Sequence, residues 1–308
     1  MPTPIAILTA DIHLSHSSPA ARSQEPDWYE AMRRQFQWLK ELQRRFEHEL
    51  PIFIAGDIFH KYSPPVELVN FALRELPDNI YAIPGQHDLP YHSLDDIRKS
   101  AYWTLMEAGK ITNVNYRTPA LMRVGCSEVL IRLHGFPFKC PIIPCQKEGD
   151  AIEIAIIHEY CWQGRACYLG ASEEKSVEAH RAHAGTYDVL VFGDNHIPHE
   201  DFSENPVVFN CGGFYRRTID EVDHRPSVGI LYSDLTIKRE YVPVQEDIFI
   251  TKQESSVLEQ NISDFVHYLS NTTTNPLDVE EIIRNYVITH NVSELVQIEI
   301  SRLLEKAK

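Results

Sequence analysis

Short apolar runs that stop abruptly at polar residues recur along this chain, and they constrain its fold more than any other feature. The runs are Ile5–Ala10, Ile52–Ala55, Ile80–Ile83, Ile152–Ile157, Val189–Phe192 and Val207–Cys211. Each is four to six residues long and rich in Ile or Val. That is too short for a buried helix and suits a strand covered on both faces. Segments of helical period lie between them. After Pro26-Asp27, the residues Trp28, Met32, Phe36, Leu39, Leu42 and Phe46 share one side, with Arg33, Arg34, Lys40, Arg44 and Arg45 opposite. Pro65–Leu76 and Leu94–Ala108 read as two more helices. Strand alternating with helix predicts an α/β sheet. Leu121–Val124 with Val129–Leu133, and Ser227–Tyr232 with Ile237–Val242, predict antiparallel pairs at sheet edges or in a second sheet.

After Pro243 the pattern changes. Val257, Ile262, Phe265, Val266 and Leu269 mark one amphipathic helix, and a polar stretch, Asn271–Pro276, interrupts the chain. Helices around Val279–Ile288 and Val292–Lys306 follow, and no glycine occurs after Gly229. The division expected is a layered domain over residues 1–243 and a small helical appendix over 244–308.

Composition narrows the function. Hydrophobic residues make up 43% of the 308, enough to bury an ordinary core. No run approaches the ~18 apolar residues that span a bilayer, so no membrane partner is expected. The N-terminus carries no basic region or cleavage-type small residues, so a cytoplasmic location is the default expectation. The six cysteines form no Cys-x-x-Cys pair and read as reduced, structural thiols. A net charge of −15 argues against DNA binding through a broad basic surface, because such binding is mainly phosphate neutralisation. A nucleic-acid substrate would need a local basic groove or a partner that supplies one.

The chemistry lies where the strands end. Ile5–Ala10 delivers Asp11 and His13, and Ile52–Ala55 delivers Gly56 and Asp57. Ile80–Ile83 delivers Gly85-Gln86-His87-Asp88. Ile152–Ile157 delivers His158, and Val189–Phe192 delivers Gly193-Asp194-Asn195-His196. In an α/β sheet the carboxyl ends of the strands line the ligand crevice. A single Asp at a strand end is more often a turn residue than a ligand, but five such loops in one chain point to a shared site. Carboxylates with neutral imidazoles and no thiolate suit Mn²⁺, Fe²⁺ or Zn²⁺. Asp57 can bridge two ions, and Asp11 and His13, on alternate residues, can grip one of them. A lone histidine such as His134 reads as a satisfied structural residue or a substrate contact. His180 and His183 read as a solvated helix face, and His199 as a group near the substrate or behind a ligand.

These motifs, in this order from about residue 5 to 242, resemble the calcineurin-like metallophosphoesterases. That pattern is D-x-H, G-D, G-N-H-D, H and G-H-x-H. Within the family, Gly56-Asp57-Ile58-Phe59-His60 followed by Pro64-Pro65 is similar to the SbcD-type DNA repair nucleases and their phage relatives. Asn210-Cys211-Gly212-Gly213-Phe214 resembles the stretch those nucleases carry after the last metal motif. The resemblance implies a four-layer αββα sandwich with the helical appendix. It implies two divalent ions, Mn²⁺ foremost: one held by Asp11, His13, Asp57 and His196, the other by Asp57, Gln86, His158 and Asp194. His87 would be the general acid or transition-state donor, oriented by Asp88, and His60 would help position DNA. Two residues depart from the pattern: Gln86 stands for the usual Asn, and Asp194 for the usual first His of the last motif.

The function implied is a two-metal phosphodiesterase, an SbcD-type DNA exonuclease and endonuclease of repair or recombination. Its expected partners are DNA and an SbcC-like ATPase, or a second copy of the chain through the C-terminal helices. The alternatives are a phosphodiesterase or phosphatase of small molecules and a non-catalytic binding subunit.

Overall fold

The structure, a computed structural model, describes residues 2–125, 129–147, 149–165, 167–168 and 171–250. The helices expected beyond 250, and Cys126, lie outside the described residues.

The apolar runs form strands as expected. They are β1 (Pro4–Thr9), β2 (Ile52–Ile54), β3 (Ile80–Ala82), β7 (Ile152–His158), β8 (Val189–Gly193) and β10 (Val207–Asn210). The two hairpins expected from the sequence are β5 (Ala120–Val124) with β6 (Val129–Phe136), and β11 (Ser227–Tyr232) with β12 (Ile237–Tyr241), each antiparallel. Two short strands carried no clear sequence signal: β4 (Ile111–Asn113) and β9 (His199–Asp201). The first sheet has the order β12-β11-β1-β2-β3-β4 and the second β5-β6-β7-β8-β10-β9. In the first, β1 to β4 are parallel, and in the second β6, β7, β8 and β10 are parallel.

Side-chain alternation shows how the sheets stack. Ile154, Ile156, Val189, Val191, Val207 and Phe209 join the cluster that holds the first sheet's Ile5, Ile7, Phe53 and Ile80. Their alternate neighbours Ala155, Ile157, Leu190, Phe192 and Val208 form a second cluster with Val177. The two sheets therefore share one core between them. The outer face of the first is covered by α1 (Trp28–Arg44), α2 (Val66–Glu75) and α3 (Ala101–Glu107), through residues such as Phe36, Phe71 and Tyr102. The outer face of the second is covered by α4 (Val177–His183). This is the four-layer αββα arrangement.

Local chemistry sets the helix bounds. Asp27 caps α1 by accepting from the Glu30 amide at 3.1 Å. The helix expected over Leu94–Ala108 is instead two pieces. A 3₁₀ segment, Leu94–Lys99, ends at Ser100, whose extended backbone (φ −106°, ψ 157°) breaks the run. The Ser100 hydroxyl then accepts from Trp103 N at 3.2 Å and starts α3.

The chain divides into two compact units. One comprises residues 1–17, 27–216 and 224–246, and contains both sheets. Of the other, the described residues are 18–26, 217–223 and 247–250. There a buried Arg22 donates from Nη2 to Asp247 Oδ1 (2.8 Å) and from Nε to Glu25 Oε1 (3.0 Å). Glu25 Oε1 also accepts from Ile248 N at 2.9 Å.

Candidate metal centre

The parallel strands β1, β2 and β3 of one sheet, and β7 and β8 of the other, end at the same edge and deliver their loops to one place. These loops adopt backbone that most side chains avoid. Asp11 (φ 50°), His13 (51°), Asp57 (55°) and Asp194 (79°) all lie in the left-handed region. Such positions cost on the order of 1–3 kcal/mol each for a residue with a side chain. Tertiary hydrogen bonds hold them. Asp11 N donates to Gly56 O (3.1 Å), His13 N to Asp57 O (2.9 Å) and Phe214 N to Asp11 O (3.1 Å). Two glycines permit the close approach. A Cβ at Gly56 would collide with the His158 ring, and one at Gly85 with the Asp57 carboxylate.

Asp11, His13 and His196 lie together, and His13 also approaches Asp57. His13 Nε2 lies 3.1 Å from His196 Nε2, 3.6 Å from Asp57 Oδ2 and 3.9 Å from Asp11 Oδ1. Ligand bonds of roughly 2.0–2.2 Å place neighbouring donor atoms roughly 3–3.5 Å apart, so this set can close on one ion with small movements. Asp57 is fully buried, and its Oδ2 accepts no well-formed hydrogen bond among the described residues. A buried carboxylate oxygen whose contacts are only long ones to imidazole nitrogens is costly, and a cation beside it lowers that cost. The donor set thus fits a divalent metal.

A second group lies on the other side of Asp57. His158 Nε2 is 3.4 Å from Asp57 Oδ2 and 2.5 Å from Gln86 Oε1. Gln86 Nε2 donates to Asp194 Oδ1 at 2.6 Å. Asp11, Asp57 and His158 cluster directly, and Asp194 reaches them through Gln86. The Asp194 amide in turn donates to both Asp11 oxygens, at 3.1 and 3.0 Å. His158 Nδ1 is 2.6 Å from Ala55 O. A carbonyl can only accept, so Nδ1 carries the hydrogen and Nε2 faces the site, the orientation a metal ligand needs.

The electrostatics are those of a site that wants positive charge. Burial pushes the Asp11 carboxyl up to about 7, against the pull of His158 and His196. Burial acts on Asp57 in the same direction, but His158, His13 and His87 outweigh it and hold its carboxyl well below the usual range. Burial would depress His158, yet Asp57, Asp11 and Asp194 raise it to about 10. In the absence of a cation, a proton on His158 supplies the missing charge.

His87 stands at the outer edge, with Nδ1 2.9 Å from His60 O and its ring stacked on that of His60. Its backbone amide donates to Asp57 Oδ1 at 2.9 Å. His13, His60 and His87 form a further group of imidazoles. The expected orientation of His87 by Asp88 is corrected here. Asp88, fully buried, accepts from the amides of Ile58 (3.1 Å), Phe59 (2.9 Å) and Gly85 (3.1 Å). It ties the β2 loop to the β3 loop, and the carbonyl of His60 positions the His87 ring.

Other expected residues lie outside this group. His134 donates from Nε2 to Glu153 Oε2 at 2.9 Å and is satisfied in the second sheet. His180 is not on a solvated face: it is buried against Phe192, and burial depresses it to about 4. His199 is buried on β9, its Nδ1 3.2 Å from Ile197 O. One supporting residue was not singled out from the sequence. Asn195 donates to Cys161 O (2.8 Å), and its own carbonyl accepts from Asn210 Nδ2 (3.0 Å), which fixes the loop carrying Asp194 and His196. Its position inside the last metal motif was the available signal.

Divalent ions held here would neutralise phosphoryl oxygens and make water a better nucleophile at neutral pH. His87, with Nδ1–H committed to a carbonyl, presents Nε2 at the open side, where the doubly protonated ring can donate to a phosphoryl or leaving oxygen.

Comparison with known proteins agrees with this architecture. The family model described as "Calcineurin-like phosphoesterase" matches residues 6–198, more than half of the chain. No curated protein matches it in sequence. Among solved structures, a Staphylococcus aureus protein assigned as a 5'-nucleotidase, in complex with alpha-ketoglutarate, superposes with a TM-score of 0.50 at 13% identity. That match covers 85% of this chain and 58% of the other, so the chain spans less than two thirds of that protein's length. The Thermus thermophilus sulfate thiohydrolase SoxB, in complex with glycerol, gives 0.47 at 8% identity over 87% of this chain and 62% of its own. An archaeal phosphodiesterase gives 0.37 at 12% identity, over 79% of this chain and all of its own. At 13% identity the first of these is a likeness of fold alone. With the family model matched across the strands and loops that build the metal centre, the chain belongs to the calcineurin-like phosphoesterase family.

Proposed function

We propose that this phosphoesterase is a two-metal phosphodiesterase acting on DNA, a nuclease of the SbcD type. The observation that carries the two-metal reading is Asp57 Oδ2. It is buried without a well-formed hydrogen bond, 3.6 Å from His13 Nε2 on one side and 3.4 Å from His158 Nε2 on the other. A carboxylate so placed suits a bridge between two cations. Asp11, His13, Asp57 and His196 hold the first ion, and Asp57, Gln86, His158 and Asp194 the second, with Mn²⁺ as the metal. An anionic Asp194 in place of an imidazole favours a hard cation at the second position. His87 protonates or stabilises the leaving oxygen.

DNA as substrate is supported by the likeness of Gly56–Pro65 to the SbcD-type nucleases, and by His60 beside His87 at the open edge of the site. An SbcC-like ATPase is the corresponding partner. The net charge of −15 favours a second reading, a phosphodiesterase of small diesters, because holding a duplex relies mainly on phosphate neutralisation by Lys and Arg.

The experiment offers Mn²⁺-loaded protein labelled duplex DNA, labelled single strands and bis-p-nitrophenyl phosphate. Cleavage of DNA supports the nuclease. Cleavage of the small diester alone replaces it with the second reading. Cleavage of neither, with and without an added SbcC-like subunit, contradicts both.

A further inference from the structure

A cleft of about 340 Å³ opens beside the metal centre, lined by His60, Lys61, Tyr62, Gln86, His87 and Tyr91, among others. Its volume falls within the range of small-ligand pockets, roughly 300–1,000 Å³. Because Gln86 and His87 belong to both, anything in the cleft is adjacent to a phosphate held at the metals. Tyr91 is its most unusual wall. The side chain is 79% exposed, and the residue sits at φ 54°, followed by His92 at φ 56°. Two consecutive bulky residues in the left-handed region are rare, and an exposed ring gains little packing to offset the strain. The turn is held by His92 N donating to Leu89 O (3.1 Å), Ser93 N to Pro90 O (3.0 Å) and His92 Nδ1 to Gln86 O (3.1 Å). Through that last bond, the turn presenting Tyr91 is fastened to the loop that carries the metal-facing amide.

We infer that this cleft is a nucleobase subsite, in which the base next to the scissile phosphate stacks on Tyr91. The inference rests on the phosphodiesterase reading and gives its substrate a chemical class: nucleotides rather than base-free diesters. The Tyr62 and Tyr91 rings are 6.3 Å apart and inclined at 43°. Contact layers of about 3.5–4.0 Å on each side would need more room for a base between them. The base therefore lies on the outer face of Tyr91, with Tyr62 supporting that ring from behind. Polar groups suited to the edge of a base stand at the rim. Ser63 supplies a hydroxyl, and the His92 ring donates from Nδ1 to Gln86 O, which turns its Nε2 edge toward the cleft as a further polar group. Lys61, exposed on the same lining, can meet a neighbouring phosphate, a local positive charge in an acidic chain.

The test compares binding of dAMP and of 2-deoxyribose 5-phosphate to Mn²⁺-loaded protein by titration calorimetry. Hydrolysis of bis-p-nitrophenyl phosphate is followed separately. Base stacking on an aromatic ring predicts that dAMP binds roughly 5- to 150-fold more tightly than the sugar phosphate. Tyr91→Leu should collapse that ratio toward one, Tyr91→Phe should keep it, and Tyr62→Ala should reduce it. Equal affinity for the two ligands in the wild type, no binding of either, or a ratio unchanged in Tyr91→Leu overturns the subsite. Hydrolysis of the small diester in that case leaves the phosphodiesterase reading standing. Loss of all diester hydrolysis with the dAMP preference intact would instead remove that reading and keep the subsite.

Discussion

His87 donates from Nδ1 to the backbone carbonyl of His60 across 2.9 Å, and the two rings stack with centroids 5.2 Å apart and planes 17° from parallel. The hydrogen is thereby fixed on Nδ1 and one direction set for Nε2, which donates when the ring carries its second proton. The stacked partner belongs to the loop after β2 that also carries Asp57, whose Oδ1 accepts from the His87 amide, so His87 is tied to that loop by backbone and ring alike.

Replacing His87 with Ala removes a proton donor and no ligand of the proposed metal sets. Hydrolysis of bis-p-nitrophenyl phosphate should fall by about 10²–10⁴-fold, with metal content by elemental analysis unchanged. Turnover within a few-fold of wild type would remove His87 from the mechanism.

Asp88→Asn should act on stability. The carboxylate accepts from three backbone amides, of Ile58, Phe59 and Gly85, whereas an amide side chain offers one acceptor oxygen and turns an N–H toward a donor. With its oxygen in the place of Oδ2, which takes two of the amides, Asn strands one donor, and at roughly 1–3 kcal/mol for a stranded donor urea unfolding should show a loss of that size. If Asp88 acted mainly by orienting His87, stability would stay near wild type and the acid limb of the rate profile would move instead.

Metal uptake should release protons. His158 is raised to about 10, so at pH 7 it is protonated and must lose that proton to become a ligand. Asp11, raised to about 7, is half protonated at the same pH. Between one and two protons should therefore leave per chain at pH 7, and the apparent affinity for Mn²⁺ should rise as pH increases from 6 to 8. Calorimetry in buffers of different ionisation enthalpy measures the release. An affinity independent of pH would contradict the assigned protonation.

Asp194→His replaces an anionic oxygen with a neutral nitrogen at the second ion. The ratio of Mn²⁺- to Zn²⁺-supported turnover should fall, because imidazole suits zinc better than the harder ion. A ratio equal to wild type would place Asp194 away from the metal, in a role confined to its bond with Gln86.

Much of this was legible in the sequence because burial and chemistry were written in adjacent residues. Ile5–Ala10 followed by Asp11 and His13 reads as a strand delivering ligands, and both belong to the observed cluster. The break at Ser100 was within reach as well, since a serine before Ala101-Tyr102-Trp103 is a capping residue. Other features depend on contacts distant in sequence. Nothing local distinguishes an Asp88 that orients its neighbour from one that accepts amides 29 and 30 residues away. His180 and His183 share a helix, and only the position of Phe192 makes one buried and the other exposed. Strand β9, with just three residues, forms because β10 offers it an edge. The left-handed backbone at Asp11, His13, Asp57 and Asp194 is likewise imposed by the loops crossing one another.

The central claim is that Asp57 joins two metal ions, and metal stoichiometry tests it most directly. Protein stripped with chelator, reloaded with Mn²⁺ and dialysed should hold two ions per chain by elemental analysis, and Asp57→Ala should hold fewer than one, with diester turnover lost. Two ions retained by Asp57→Ala would contradict the account.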